Sequence, residues 1–595
     1  MTEPQITAPP PGTVTAVVGL GSLGEALVHL LHRAGHTVVA VDTDLDALTR
    51  VAGRLKAATA TAGTPHPRGT GSRPGGPEVV LTADHTALRA AGVVVEAVPD
   101  DQAAKTRVLR TITSVCPPGT PIVTTTSTLS VTRLAIAAGR PADVAGLRLF
   151  TPPGPGGPAE PVRTALTSAE AAAAVDELVA STGLTPVAVG ARPADDATAL
   201  VLAFLNRAVI LLDEGYATRH DIDTAMRLGC GLPAGPLETL DRMGLDTVHA
   251  QLTGLWRRTG DTAFEPAPLL SRMVATGRLG RKTGEGFYAY DETGSALAAP
   301  ADGPHDTPAA TVRRVGVLGS GAMARGIAEV TATAGYPTVL VARDADRAGQ
   351  ALESVGDSLT RGVRRGRITP LAKATALGLL AGAGDMAALA DCDLVIEAVA
   401  EDLSVKRAQF AGLGAVCAPG TVLATTTSSL SVAACAEASG RPADVVGLHF
   451  FNPAPVMRLV ELAHTDTVDP GVLATARAFC GTLGKTAVQC PDRSGFIVNS
   501  LLFPYLGAAL ALLERHDVDP ARTDEAIRQG FGFPMGPFAL LDTIGLDVSL
   551  AIQHRLYERF RTPEYVPAPV LEELVAAGLL GRKNGRGLLT RDARR

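Results

Sequence analysis

Little in this chain points to the extracellular space, a membrane or nucleic acid. Cysteine is sparse: seven in 595 residues, scattered, with no C-x-x-C pair. That excludes a disulfide framework and a zinc ribbon, and it suits a reducing compartment. There is no excess of basic residues, since 54 Lys and Arg stand against 60 Asp and Glu. A net charge of -6 leaves no general surface for neutralising phosphates. Long apolar runs are missing as well. Runs such as LLFPYLGAALALL (501–513) are too short to span a bilayer. The N-terminus, MTEPQITAPPPGT, has neither a basic nor an apolar signal region. These absences imply a cytoplasmic protein with no membrane or nucleic-acid partner.

What is present is a well-folded composition, 46% hydrophobic and 19% charged, on a chain too long for a single core. It is also a repeat. GRPADVAGLRLF (139–150) recurs as GRPADVVGLHFF (440–451), a shift of 301. The same shift maps Cys116 onto Cys417, Ser127 onto Ser428, Glu160 onto Glu461, and LGRKTGEG (279–286) onto LGRKNGRG (580–587). A constant offset over this span means duplication of a whole unit.

Each unit opens on a strand pattern, a glycine turn and a helix, followed by β-branched runs alternating with helical periods. Strand signals stop near Pro193 and Pro491, and helical periodicity takes over. In unit 1, Gly19, Gly21 and Gly24 form G-x-G-x-x-G, which lets a pyrophosphate approach a helix N-terminus. Asp42 ends the next strand, placed for the ribose hydroxyls of NAD. Unit 2 carries Gly319, Gly321 and Ala324, a permitted replacement. Counting from the shared glycine (Gly35, Gly335), Ala342 replaces Asp42, and Arg343 follows it. Loss of the acid removes repulsion against a 2′-phosphate that Arg343 can bind, so NADP is favoured in unit 2 and NAD in unit 1. The rival reading keeps Arg343 in water and gives the ribose to Asp344.

The expected fold is therefore α/β: two tandem Rossmann-type doubly wound domains, each followed by an all-helical domain. The boundaries are 13–192 and 193–291 for unit 1, a linker over 292–312, then 313–490 and 491–595 for unit 2.

Unit 2 contains ATTTSSLSV, GLHFFNPAPVMRLVEL, DRSGFIVNSLLFPYL and GFPMGPFALLDTIGLD. At these residues it strongly resembles the 3-hydroxyacyl-CoA dehydrogenase family, and the likeness runs through nearly all of both units. Hydride exchange at C3 requires a proton to move at the 3-oxygen, work that suits a histidine. The resemblance makes His449 the proton acceptor and Glu461 its orienting partner, and has Ser428 and Asn499 binding substrate oxygens. It puts Glu401, Lys406, Ser428, Asn452 and Lys583 at cofactor positions. The segment SLTRGVRRGRI (358–368) resembles the family's basic arm, with Ser358 and Arg365 at CoA-contact positions. The implied reaction is reversible reduction of a short-chain 3-oxoacyl-CoA.

Unit 1 departs from this pattern. Arg148 replaces the histidine, Thr151 and Thr198 replace the asparagines, and a Pro/Gly loop (64–76) replaces the arm. An arginine stays protonated and cannot act as a base. Asp42, Asp100, Lys105 and Lys282 are retained, so NAD binding is expected there without turnover. The family dimerises through its helical domains, so the two units are expected to pair within one chain, with further homo-oligomerisation open. The alternatives are a dehydrogenase of a non-CoA 3-hydroxy acid, or a dinucleotide sensor without catalysis.

Overall fold

A computed structural model describes residues 14–589, apart from 62–77, 128, 130, 150–152, 165, 188–192, 298–307 and 517–518. Thr151 and the 64–76 loop lie outside the described residues.

Each unit contains an eight-stranded sheet with the strand order 3-2-1-4-5-6-7-8. In unit 2 the first strand, Val315–Leu318, lies between Thr338–Val341 and Leu394–Glu397. The sheet then runs through Val422–Thr425, Val445–Phe450 and Leu459–His464 to Thr486–Pro491 at the edge. All pairings are parallel except that of Val445–Phe450 with Leu459–His464. The strands inside this edge are buried on both faces, which explains their continuous apolar runs, while Thr486–Pro491 is only half-buried. Unit 1 repeats the order, but its edge strand shrinks to Thr185–Pro186.

The helical domains begin with Pro193–Asp213 in unit 1 and Val498–His516 in unit 2. These two long helices pack against each other, and the first also packs against Pro520–Phe531. One apolar core, including Leu205, Val209, Leu506 and Leu510, runs through both domains. Phe204 adds ring contacts to Tyr505 at 5.6 Å and Phe533 at 6.1 Å.

Both ends of the segment between the units are tied down. Asp291 Oδ1 accepts the N–H groups of Thr293 and Ser295, each at 2.9 Å, and Gly294 takes φ +78°. The resulting turn folds the chain back, and Leu297 N–H donates to the Ala289 carbonyl at 2.8 Å. At the far end Ala310 N–H donates to Thr475 Oγ1 at 2.8 Å. The Asp291 and Gly294 turn is enough to close a hairpin at the start of the segment.

Candidate active site

The sequence-predicted residues gather at the C-terminal ends of the parallel strands of the second sheet, where open α/β sheets bind ligands. The antiparallel register sets His449 directly opposite Glu461. His449 Nδ1 lies 2.7 Å from Glu461 Oε2. The other carboxylate oxygen accepts the N–H groups of Ile497 at 3.0 Å and Val498 at 2.8 Å. Glu461 is fully buried. A buried carboxylate is tolerable only when so satisfied, and these bonds fix its direction as well as its charge. With Nδ1 turned to a carboxylate, Nδ1 is the donor and Nε2 is left as the acceptor. Phe451 and Phe496 flank the imidazole at centroid distances of 4.6 and 5.6 Å. Asn499 follows Val498 in the first turn of the same helix.

Ser428 sits beyond the end of Val422–Thr425. Its N–H and Oγ donate to Glu401 Oε1 at 2.8 and 3.2 Å, and Thr427 Oγ1 donates to the same oxygen at 2.6 Å. Burial raises the Glu401 pKa, but Lys406 and the bonds from Thr427 and Ser428 outweigh it and hold the carboxyl below its usual range. Lys406, in the helix Leu403–Val416, is fully buried. Its ammonium contacts both Glu397 oxygens at 2.8 and 3.0 Å and Glu401 at 3.5 Å. The sequence reading missed Glu397, although VVVEAV and LVIEAV carry a buried strand acid in both units. It also missed the Ile497 and Val498 donors, because a backbone N–H has no sequence signature.

The glycine turns have the geometry a dinucleotide needs. Gly19 and Gly319 take φ +96° and +134°, and a Cβ on Gly319 would come within 2.4 Å of the Ala398 carbonyl oxygen. At Gly21 and Gly321 a Cβ would meet nothing within 4 Å, so the backbone there is open to a ligand at the helix N-terminus. A cavity of about 590 Å³ in unit 1 is lined by this turn, Asp42, Asp100, Lys105 and Lys282. Asp42 accepts from the N–H groups of Leu20 at 2.6 Å and Asp44 at 2.9 Å. Gly24 is packed so tightly that a Cβ would meet the Gly19 carbonyl oxygen at 1.8 Å, whereas Ala324 is accommodated in unit 2.

The turn also settles the register. Gly19 N–H donates to Val41 O, and Gly319 N–H to Val341 O, so Ala342 is the structural counterpart of Asp42. Arg343 is exposed, while Asp344 caps the next helix by accepting the Arg347 N–H at 2.7 Å. Lys583 pairs with Asp547, as Lys282 does with Asp246.

A second cavity, about 850 Å³, is lined by Ser358, Arg361, Arg365, Arg367, Arg325 and Asn452. Glu329 also lines it; burial raises its pKa, against the opposing effects of the Ser358 hydrogen bond and Arg361. The basic arm thus faces a space large enough for a nucleotide-sized ligand, and Asn452, just past Val445–Phe450, also lines it.

In unit 1 the same register opposes Arg148 to Glu160, with Nη1 3.4 Å from the carboxylate. Gln251 Nε2 donates to Ser127 Oγ at 2.7 Å. The 301 shift places Ile552 at that position in unit 2, so the serine hydroxyl there meets no such amide.

The family model of the NAD binding domain of 3-hydroxyacyl-CoA dehydrogenase matches residues 14–192 and 314–493. That of the C-terminal domain matches 197–290 and 495–591. A 3-hydroxybutyryl-CoA dehydrogenase of Mycobacterium tuberculosis is 43% identical over 286 residues, 47% of this chain and 98% of that protein. A 3-hydroxyadipyl-CoA dehydrogenase of Escherichia coli is 41% identical over 47% of this chain and 58% of its own length. The mitochondrial hydroxyacyl-coenzyme A dehydrogenase of Rattus norvegicus is 39% identical over 46% of this chain and 90% of its own.

Proposed function

Because this chain belongs to the 3-hydroxyacyl-CoA dehydrogenase family, oxidoreductases built on an NAD-binding domain, we propose that its second unit alone interconverts a short-chain (S)-3-hydroxyacyl-CoA and its 3-oxoacyl-CoA. The carrying observation is the His449–Glu461 pair at 2.7 Å. His449 Nε2 takes the proton from the 3-hydroxyl group, and Glu461 stabilises the imidazolium that forms. Ser428 and Asn499 orient the substrate oxygens. When bound, the nicotinamide supplies the hydride acceptor for C3. Glu401, Asn452 and Lys583 hold that cofactor, and Ser358 and Arg365 hold the CoA phosphates. Purified protein reducing acetoacetyl-CoA with a nicotinamide cofactor tests this reading, and no turnover with any short 3-oxoacyl-CoA refutes it.

For unit 2 the favoured cofactor is NADP, on the argument of Ala342 and Arg343. Unit 1 keeps the Asp42 cavity but lacks a base, so it holds NAD without turnover. Equilibrium dialysis with NADH and NADPH together is expected to find one of each bound per chain; NADPH bound without any NADH would mean that unit 1 is empty.

The two helical domains act as an intrachain pseudo-dimer, a reading supported by their common core. Residues 313–595 alone are expected to self-associate, because separation exposes the apolar face of Val498–His516. A monomeric 313–595 in sedimentation would remove this reading.

A further inference from the structure

Thr486–Pro491 is the outermost strand of the second sheet, and an edge strand ordinarily leaves backbone groups to water. Here unit 1 covers it. Gln489 N–H donates to Asp221 Oδ1 at 3.4 Å, and Tyr216 OH donates to the Pro491 carbonyl at 3.1 Å. Arg493 pairs with Glu214 at 3.0 Å and lies 5.0 Å over the Tyr216 ring. The helix Arg219–Cys230 packs on this strand and on Leu459–His464 behind it.

Gly229 of this helix packs tightly against unit 2. A Cβ there would lie 2.9 Å from Leu459 Cδ2, 3.1 Å from Val498 Cγ2 and 3.6 Å from Phe451 Cε1. All three neighbours belong to the surroundings of the dyad. Phe451 packs against His449 with its ring tilted 55° to the imidazole, and Val498 N–H donates to Glu461. Leu459 precedes Glu461 by two residues, and so shares its face of the strand.

We propose that unit 1 is a positioning partner for the active site of unit 2. Its helix 219–230 and Tyr216 form a wall that sets the backbone of 459–461 and 491–498, and thereby aims Glu461 at His449. Gly229 is the contact point, where the lack of a side chain lets the two units close to this distance. Gly229 and Tyr216 touch no reacting atom; they act through Glu461. This inference rests on the reading of His449 and Glu461 as the proton-transfer pair. It gives the non-catalytic unit a task beyond pairing helical domains: the site of unit 2 is incomplete without it.

The test uses the full chain. Gly229→Ala is expected to lower kcat about three- to tenfold while KM for both substrates stays within about twofold, the pattern of lost transition-state alignment. Alanine is the better helix former, so propensity alone predicts no loss of thermal stability. Adding Leu459→Val removes the Cδ2 that the new methyl group meets, and is expected to restore kcat to that of Leu459→Val alone. Tyr216→Phe, which keeps the ring under Arg493 but loses the bond to Pro491, is expected to reproduce the split between kcat and KM. Wild-type kcat in both Gly229→Ala and Tyr216→Phe overturns the proposal, and so does a loss that Leu459→Val fails to relieve. Failure of the underlying reading is separately visible. If His449→Ala retains more than about a tenth of turnover, the dyad assignment itself falls. If His449→Ala is inactive while Gly229→Ala and Tyr216→Phe match wild type, only this inference falls.

Discussion

His449→Ala is expected to reduce 3-hydroxyacyl-CoA oxidation by about 10²–10⁴-fold, the contribution of a positioned general base. The fold should survive. Removing the imidazole leaves Glu461 Oε1 with its two backbone donors from Ile497 and Val498, and the space opened beside Oε2 can admit a water in place of Nδ1, so the buried carboxylate is not stranded. Circular dichroism and thermal melting are therefore expected to stay close to wild type while turnover is lost. Glu461→Gln should be nearly as damaging for a different reason. Its carbonyl oxygen can still accept from Ile497 and Val498, which turns the amide N–H₂ toward His449 Nδ1. That geometry favours the tautomer protonated at Nε2, which cannot take a proton from substrate. Activity above about a tenth of wild type would place the base elsewhere.

NADPH is expected to exceed NADH in kcat/KM, by about 10–150-fold if Arg343 contributes the roughly 1.5–3 kcal/mol of a charge-assisted bond to the 2′-phosphate. Two features of the structure favour this outcome. Ala342 occupies the strand-end position where unit 1 holds Asp42, so no carboxylate repels a phosphate there. Asp344, which a rival reading assigned to the ribose, is engaged as a helix cap and pairs with Arg347 at 3.4 Å. Arg343 is exposed just past the end of Thr338–Val341. Arg343→Ala should lower the NADPH-to-NADH ratio about tenfold or more. Equal use of both cofactors, or a ratio indifferent to Arg343, would return Arg343 to the role of a solvated surface charge.

Much of this protein is determined by sequence alone, because the relevant signals are local or are repeated. Duplication is visible as the 301-residue offset, and the doubly wound sheet as β-branched runs between helical periods. The glycine turns announce themselves because Gly19 and Gly319 need a backbone conformation that other residues resist. His449 and Glu461 are legible as chemical types inside a specific block, and their facing register follows from two adjacent antiparallel strands. Tertiary structure decided the rest. The Ile497 and Val498 donors are backbone groups, identical in every residue type but proline, so no side chain marks them. Gln251 reaches Ser127 across 124 positions and Tyr216 reaches Pro491 across 275, separations over which a single sequence carries no distance information. Gly229 looks like any helical glycine until the two units close on each other. Only the packed chain reveals it as the point where the first unit meets the surroundings of the second unit's dyad.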